Sequence, residues 1–479
     1  MTSQSPRKRP TIAPRIDMSL LPERERTDAA EIARELAKAG ARAFIVGGAV
    51  RDLALSRSVK DVDIEVFGLD LGAVKEVLSR RWKLDLVGQS FGVIKLHHSE
   101  IDVSVPRREM KTGLGHKAFE MESDPGMDVK EAARRRDFTI NAMYFDPLTG
   151  EIEDPCGGFA DLGAGVLRHV SERFKEDPLR VLRGMQFVAR FNLVPAPETI
   201  EICRSMTPEN LPPERLFEEF AKLLTKGVAI SKGMEFLRAT GWVRNFPELE
   251  ALIGLEQDPK WHPEGDVWNH TCLALDAFAR SRTGERYEDI VVGLAVMAHD
   301  FGKATTTVHD LDGHIRSRGH DVAGIKPTLS FLRRLTNEER ILKDVPPLVV
   351  SHMQPFSLWK AKAGDSAVRR LALKVGRIDR LLRVAHADDE GRTPGRLGGT
   401  SLGEDLKWLD SAARRLKIEA EAPKPILMGR HLIAMGLKPG PGFSKALSKV
   451  FEAQLDGAFK DLDGAIAYFK RELGGRIDE

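Results

Sequence analysis

The stretch FIVGGAVRDLALSRSVKDVDIEV, residues 44–66, decides the fold of the first part of this chain. Its apolar start is typical of a buried strand, which ends at the pair Gly47-Gly48. The residues that follow predict a short helix whose N-terminus faces these glycines. Because a helix N-terminus has unpaired backbone N–H groups and a partial positive charge, this turn suits a bound phosphate. Arg51 adds a planar cation suited to a polyphosphate.

A second strand is predicted over residues 61–66, DVDIEV. Its period of two places Asp61 and Asp63 on one face and the apolar residues on the other. Two carboxylates in this arrangement are a compact set of ligands for a hard divalent cation such as Mg²⁺. A later predicted strand, residues 100–105, carries Asp102, a candidate third carboxylate beside the pair. The phosphate-binding turn and the carboxylates together indicate nucleotide chemistry.

The composition describes a large globular protein. A chain of 479 residues exceeds one ordinary core, so we expect several domains. The net charge of +2 is nearly balanced, so affinity for nucleic acid must come from local basic patches. The three cysteines are far apart and not spaced as metal ligands, which favours a reducing compartment and a cytoplasmic protein. No apolar run approaches the roughly 20 residues of a membrane span.

A second polar cluster lies within EAARRRDFTINAM, residues 131–143. Three consecutive arginines, residues 134–136, precede Asp137, and Asn141 follows one helical turn later. One interpretation is that the arginines bind phosphates while Asp137 and Asn141 hydrogen-bond a ribose. The alternative is a solvated basic turn.

The segment FKEDPLRVLR, residues 174–183, begins a helix at Pro178. Arg180 and Arg183 are three residues apart and share a helix face. Glu176 and Asp177 are interpreted either as capping acids or as part of a binding site. We favour the second reading for Asp177, because Asp177 and Arg180 together offer the acceptor and donor that a site needs to read a nucleotide base.

The second half of the chain contains a dispersed set of imidazoles and carboxylates. A single histidine is usually structural, but a recurring combination in helical context is typical of a metal site with activated water. The candidate ligands are His270, His299, Asp300, Asp388, His320 and His352.

These motifs, in this order, resemble the class II tRNA nucleotidyltransferase and poly(A) polymerase family. The resemblance implies that Asp61 and Asp63 are the catalytic residues and bind Mg²⁺, while Gly48 and Arg51 contact the triphosphate. It also implies further nucleotide-binding residues: Arg136, Asp137 and Asn141 at the ribose, Asp177 and Arg180 at the base, and Arg183. One position departs from the pattern, because Gln186 replaces an arginine of many members. We therefore assign no triphosphate role to Gln186. We expect the residues that select the base to lie near this position.

The histidine set resembles the HD phosphohydrolase domain that some bacterial members carry behind the transferase. The resemblance implies a divalent transition metal bound by His270, His299, Asp300 and Asp388, with His320 and His352 at a possible second metal. The PILMGR and GLKPGPGF segments resemble a tRNA-contacting C-terminal extension of longer members.

The implied fold class is α+β. A small mixed-sheet, polymerase-beta-like palm is followed by a mostly α-helical neck and body, an all-α HD domain and a helical tail. We predict five parts: a disordered basic tail (1–25), the palm (26–155), the helical neck and RNA-binding region (156–257), the HD domain (258–395) and the tRNA-contacting tail (396–479). Within the palm, residues 107–128 show no clear period and are predicted to be a mobile loop over the site.

The family resemblance implies template-independent addition of CMP and AMP to the 3′ end of tRNA, with release of pyrophosphate. The implied partners are tRNA, ATP and CTP, with no DNA and no membrane, while the oligomeric state is not determined by the sequence. Two alternatives stay open: a poly(A) polymerase or partial CC- or A-adding enzyme, and a protein that is mainly an HD phosphohydrolase acting on RNA ends.

Overall fold

The computed structural model describes residues 16–85, 92–111, 119–209, 211–392 and 403–473. The chain divides into two compact units, Met1–Asn245 and Phe246–Glu479. The predicted N-terminal tail lies outside the described residues as far as residue 15. A 3-10 turn spans Met18–Leu20 and the first α-helix begins at Glu23, so the last three residues of the predicted tail are helical.

The first unit combines a mixed sheet with helices. Its helices are α1 Glu23–Lys38, α2 Gly48–Ala54, α3 Leu71–Ser79, α4 Val129–Arg134, α5 Gly158–Ala164, α6 Leu179–Phe191, α7 Pro197–Arg204, α8 Pro213–Lys226 and α9 Ile230–Ala239. Its strands are β1 Arg42–Val46, β2 Val62–Phe67, β3 Leu84–Asp85, β4 Val93–Leu96, β5 Ile101–Ser104, β6 Arg107–Lys111, β7 Phe119–Ser123, β8 Tyr144–Phe145, β9 Ile152–Glu153, β10 Val166–Leu167 and β11 Val194–Pro195.

Seven strands form the principal sheet in the order β3-β4-β5-β2-β1-β8-β9. Strands β2 and β5 are parallel, and the other neighbours are antiparallel. Their register places Asp63 directly opposite Asp102, so the third carboxylate expected from the sequence does lie beside the pair.

The strand–glycine–helix unit of residues 44–55 forms as predicted. Phe44 is fully buried and packs edge-to-face with Phe67 and Tyr144, with ring centroids 5.8 and 6.0 Å away. Gly47 ends the strand with a φ of +69°, a conformation that strains any residue carrying a Cβ. The core therefore anchors β1, and the glycine turns the chain directly into α2.

The prediction of a mobile loop over residues 107–128 is wrong for much of that segment. Strands β6 and β7 pair as an antiparallel ribbon, from Arg107 opposite Ser123 to Lys111 opposite Phe119. Residues 112–118 lie outside the described residues. Backbone pairing forms this ribbon without a regular apolar pattern, which is why the search for hydrophobic periodicity missed it.

The second unit is mainly helical. Its helices are α10 Pro247–Glu250, α11 Val267–Arg280, α12 Arg286–Ala298, α13 Lys303–Thr306, α14 His320–Ala323, α15 Ile325–Leu335, α16 Glu339–Val349, α17 Gln354–Lys360, α18 Asp365–Val375, α19 Ile378–Arg392, α20 Glu404–Leu416, α21 Gly429–Ala434, α22 Gly442–Asp456 and α23 Leu462–Glu472. A short antiparallel hairpin, β12 Thr307–His309 and β13 Ile315–Ser317, shows that the predicted HD region is not wholly α-helical.

Two features of the second unit position its polar residues. Helices α11 and α19 pack against each other, since small residues such as Gly391 and Ala274 allow close backbone approach. The C-terminal helices α21–α23 share a separate apolar cluster that includes Leu432, Val450 and Phe469. The predicted boundary at residue 396 lies outside the described residues. A search of the described helices found none with the length and apolar character that membrane crossing requires.

Candidate active sites

A cavity of about 390 Å³ in the first unit collects most of the predicted nucleotide-binding residues. The turn between β1 and α2 forms one wall, since a Cβ on Gly47 would lie 3.4 Å from Arg136 Nη1 and one on Gly48 would lie 3.4 Å from Arg51 Nη2. The glycines thus keep open the space between the guanidinium groups. The described lining is Gly47, Gly48, Arg51, Asp63, Arg135, Arg136, Asp137, Asn141, Asp177, Leu179, Arg180, Arg183, Phe187 and Arg215.

The carboxylates of β2 and β5 are the candidate ligands for Mg²⁺. Asp63 lines the cavity and faces Asp102 in register, while Asp61 lies just before β2 and outside the described lining. Although Asp63 retains solvent exposure, desolvation by the surrounding protein together with Asp102 and Asp61 raises its pKa, against the lowering effect of Arg136. A divalent cation would relieve this repulsion between oxygen ligands, so the residues fit the metal.

This carboxylate set is more open than the histidine set of the second unit. Among the described residues, the three groups whose ligand atoms all lie within 4.8 Å of one another belong to the second unit. Asp102 also forms an ion pair with Lys95 at 3.0 Å. The sheet therefore aligns the carboxylates without drawing them into a closed cluster.

Glu65, which sequence reasoning missed, holds the arginines of the cavity. Its carboxylate is 1% exposed, lies 2.8 Å from Arg136 Nη2 and also pairs with Arg135. Although burial acts in the opposite direction, these two guanidinium groups lower the pKa of Glu65. Arg136 Nε also donates to the Tyr144 hydroxyl at 3.3 Å. Glu65 is the third acid in the alternating pattern DVDIE, and this pattern was the signal by which the sequence could have pointed to it.

Arg51, Asn141, Asp137 and Arg183 form one hydrogen-bonded chain along the cavity wall. Arg51 Nη1 donates to Asn141 Oδ1 at 2.5 Å, and Asn141 Nδ2 donates to Asp137 Oδ1 at 3.0 Å. Arg183 Nε completes the chain by donating to Asp137 Oδ2 at 2.7 Å. Burial raises the pKa of Asp137, but Arg183 and Asn141 outweigh it and the pKa is lowered. The carboxylate is therefore an ionised, fixed acceptor.

The two predicted base-reading residues line the same cavity but have separate partners. Asp177 Oδ2 accepts from Arg215 Nη2 at 2.8 Å, whereas Arg180 donates to the carbonyl oxygens of Arg173 and Arg135, both at 2.8 Å. Sequence reasoning missed Arg215, which is on α8, because no motif marks a residue that distant in the chain. The acceptor Asp177 and the donor Arg180 are thus held in place by different partners.

Gln186 lies in the interior of α6 rather than on the described cavity wall. Its side chain is 2% exposed, and within the described part of the chain its Oε1 atom has no hydrogen-bond partner. Its neighbours Arg183 and Phe187 do line the cavity.

The second unit brings together all six predicted metal ligands. They come from separate elements, with His270 on α11, His299 and Asp300 after α12, His320 at the start of α14, His352 after α16 and Asp388 on α19. Each is at most 8% exposed. The ligand atoms form one group of His270, His299 and Asp388 and another of Asp300, His320 and His352.

The ring nitrogens facing away from the cluster determine which atoms face inward. His299, His320 and His352 each bond through Nδ1 to the carbonyl three residues earlier, at 2.7, 2.8 and 2.6 Å, and His270 Nδ1 lies 2.8 Å from Glu264 Oε1. Because these oxygens only accept, each Nδ1 carries the hydrogen and each neutral ring presents an Nε2 lone pair inward. Burial and His299 lower the pKa of His352 to about 4, which keeps that ring neutral.

The inward-facing atoms are close enough to need a cation. The Nε2 atoms of His270 and His299 are 3.2 Å apart, and those of His320 and His352 are 3.3 Å apart. Asp300 connects the groups, with Oδ2 3.3 Å from His299 and Oδ1 3.4 Å from His320. Facing lone pairs and carboxylates repel one another, and this nitrogen–oxygen donor set fits one or two divalent transition metals.

Protonation competes with a metal at one position. Burial lowers the pKa of His270, but Asp388 and Glu264 outweigh it and the pKa is raised. A metal bound there would therefore displace a proton.

Three supporting residues were missed by sequence reasoning. Glu264 Oε1 lies 2.8 Å from a ring nitrogen of both His270 and His262. These three residues are the third group of potential ligands, and here they serve to support His270. Lys303 Nζ lies 2.7 Å from Asp300 Oδ2, and Arg392 Nη2 lies 2.8 Å from Asp388 Oδ2. Lys303 follows Asp300 by three residues, a helical spacing that was a usable signal.

Comparison with known families agrees with this description of the first unit. Residues 43–168 match the poly A polymerase head domain family, and residues 192–253 match a family described as the probable RNA and SrmB-binding site of polymerase A. A head domain of this family, with a glycine turn beside sheet-borne carboxylates, defines the chain as a nucleotidyltransferase.

Relatives identify the family. The multifunctional CCA protein of Nitrosococcus oceani is 34% identical over 412 residues, covering 82% of this chain and 93% of its own length. The multifunctional CCA protein of Xanthomonas oryzae is 34% identical over 435 residues, covering 87% and 98%. The chain belongs to the family of CCA-adding tRNA nucleotidyltransferases and poly(A) polymerases.

Solved structures show the same fold. The CCA-adding enzyme of Bacillus stearothermophilus in complex with CTP has a TM-score of 0.63 at 21% identity, covering 94% of this chain and 97% of its own. The Thermotoga maritima CCA-adding enzyme complexed with tRNA has a TM-score of 0.57 at 19% identity, covering 93% and 95%.

Proposed function

We propose that this protein adds CMP and AMP, without a nucleic-acid template, to the 3′ end of tRNA, using CTP and ATP and releasing pyrophosphate. The observation that carries the proposal is the single cavity that joins the glycine turn, Asp63, the Arg51–Arg183 chain and Asp177. Relatives named for CCA addition support this activity over poly(A) synthesis.

The proposed chemistry assigns separate tasks to the cavity residues. Asp61 and Asp63 would hold Mg²⁺, which when bound acidifies the RNA 3′-hydroxyl and neutralises the leaving pyrophosphate. Arg136, fixed by Glu65, contributes positive charge beside the turn where the triphosphate binds. Asp137 and Asn141 orient the ribose, because their hydrogen-bonded chain fixes both side chains.

Base selection is assigned to Asp177 and Arg180. Each side chain is oriented by contacts outside the base, to Arg215 and to backbone carbonyls respectively. An acceptor and donors held in this way can discriminate a base without a template strand. Residues 396–479 are assigned to contact with tRNA.

The extension assay tests this function. Purified protein is incubated with tRNA lacking its terminal CCA, with CTP and ATP supplied separately and together. We expect two cytidines with CTP alone and complete CCA with both nucleotides. A long A tail on unstructured RNA, or addition restricted to CC or to A, would contradict the proposal and identify one of the alternative enzymes.

We further propose that residues 258–395 form an HD-type, metal-dependent phosphohydrolase acting on 2′,3′-cyclic phosphates. The observation that favours it is the set of four imidazoles presenting Nε2 atoms to Asp300 and Asp388. Imidazole and carboxylate ligands suit a metal that activates water, while Lys303 and Arg392 supply positive charge near the ligands. The complete residue set of the first unit argues against a protein that is mainly a hydrolase.

Glu264→Gln should weaken metal binding roughly 10- to 100-fold, because a carboxylate that orients a ligating histidine also raises its basicity. The measurement is titration of metal-free protein with Co²⁺, followed by its visible absorption. Glu256→Gln is the matched control, since Glu256 is exposed and its carboxylate lies 3.6 Å from the exposed His309. Equal Co²⁺ affinity in the two variants would contradict the positioning role of Glu264.

A further inference from the structure

The histidine cluster borders a cavity of about 580 Å³ whose lining includes a large, exposed aromatic side chain. Trp261 lines this cavity and is 65% exposed, although its surroundings are charged. An exposed indole on the wall of a polar cavity offers a flat apolar surface on which another flat ring can stack.

The turn that presents Trp261 is held in place. The backbone N–H groups of Trp261 and His262 donate to the Asp258 carbonyl at 3.1 and 2.9 Å. The Asp258 side chain accepts from Lys260 N at 3.0 Å and lies 2.6 Å from His314 Nδ1, between the strands of the β12–β13 hairpin. These bonds fix the backbone of the turn. Lys260 Nζ lies 5.3 Å from the centroid of the indole, and the exposed part of the ring can still stack on a flat ligand.

The lining of the cavity also includes a cation with a loose partner. Arg316 is held by Asp310 and Asp312, whereas Arg318 is 3.8 Å from Asp310 and its side chain is 80% exposed. Arg318 lies two residues before the ligand candidate His320. An indole and an exposed guanidinium therefore line the same cavity as candidate metal ligands, a combination suited to a phosphate ester.

We propose that this cavity binds the nucleoside part of its substrate, with Trp261 stacking on the base and Arg318 contacting phosphate. The inference rests on the proposed phosphohydrolase function and deepens it. It makes the substrate a nucleoside phosphate, either a free nucleotide or an RNA 3′ end. Aromatic stacking tolerates every base, since each has a π-face, so Trp261 gives affinity without strong base preference.

The kinetic test compares two substrates that differ by the base, adenosine 2′,3′-cyclic phosphate and methyl riboside 2′,3′-cyclic phosphate. Trp261→Ala should raise KM for the adenosine substrate roughly 5- to 100-fold, from the usual contribution of base stacking. We expect kcat within about twofold of wild type and no change with the base-free substrate. Trp261→Phe should restore most of the affinity, because phenylalanine still stacks. Leu311→Ala, which removes a fully exposed leucine elsewhere, is the control.

A binding measurement keeps this inference separate from the proposed hydrolysis. Adenosine 2′-monophosphate should quench the tryptophan fluorescence of metal-free wild-type protein, and Trp261→Phe should remove that quenching. Absence of hydrolysis with quenching retained would overturn the hydrolase function but support the subsite. Equal KM changes for both substrates, or quenching that persists in Trp261→Phe, would overturn the subsite. A larger KM effect on a cyclic-phosphate-ended RNA than on the free nucleotide identifies an RNA end as the source.

Discussion

Replacing Asp61 and Asp63 together by alanine is expected to abolish incorporation of both CMP and AMP into tRNA. The loss should reach about 10³-fold or more, since charge stabilisation by bound cations is worth several kcal/mol and each 1.4 kcal/mol corresponds to tenfold in rate. The measurement is single-turnover extension with radiolabelled CTP or ATP. Because desolvation and the neighbouring carboxylates outweigh Arg136 and raise the pKa of Asp63, its ionised form is disfavoured in the folded protein, and removing it should not lower the midpoint of thermal unfolding.

The control for this double variant is Glu76→Gln. Glu76 is an exposed acid on α3 that pairs only at the surface with Arg80, at 2.8 Å. The Glu76→Gln variant should extend tRNA at the wild-type rate. Near-normal incorporation by the double alanine variant would contradict the assignment of these carboxylates as metal ligands. It would also contradict the proposed transfer chemistry.

His299→Ala is expected to abolish metal-dependent hydrolysis of 2′,3′-cyclic phosphates while leaving tRNA extension unchanged. His299 belongs to the second unit, and its Nε2 atom lies 3.2 Å from that of His270 and 3.3 Å from Asp300. Losing this ligand removes one donor of the metal and leaves the Val296 carbonyl without its imidazole partner. We expect at least a 10²-fold loss in kcat/KM, with Co²⁺ binding weakened in parallel.

His309→Ala is the matched histidine control for this experiment. His309 is exposed on the β12–β13 hairpin, its side chain lies 3.6 Å from Glu256, and among the described residues it belongs to none of the candidate ligand groups. Circular dichroism would verify that each variant keeps its helical content. Hydrolysis that survives both His299→Ala and Asp300→Ala would contradict the HD assignment and leave the transferase assignment intact.

Local sequence patterns are sufficient to predict several elements and the chemical types of both candidate sites, although not the β6–β7 ribbon. An apolar run, two glycines and a short helical segment predicted β1, the turn and α2, because these patterns depend on neighbouring residues. The β8–β9 hairpin, in which Phe145 pairs with Ile152, is likewise local, since the turn-forming residues 146–150 join its two strands. The six candidate histidine and aspartate ligands were chosen because they resemble the HD domain in the same order, and the structure brings them together.

Which side chains lie together depends on how distant elements pack against one another. Asp63 meets Asp102 through a parallel pairing of strands nearly forty residues apart, and Asp177 meets Arg215 from another helix. Glu264 became a partner of His270 only when its loop folded against α11. No local pattern encodes these contacts, because side-chain periodicity specifies which face of an element is buried and not which distant element covers it.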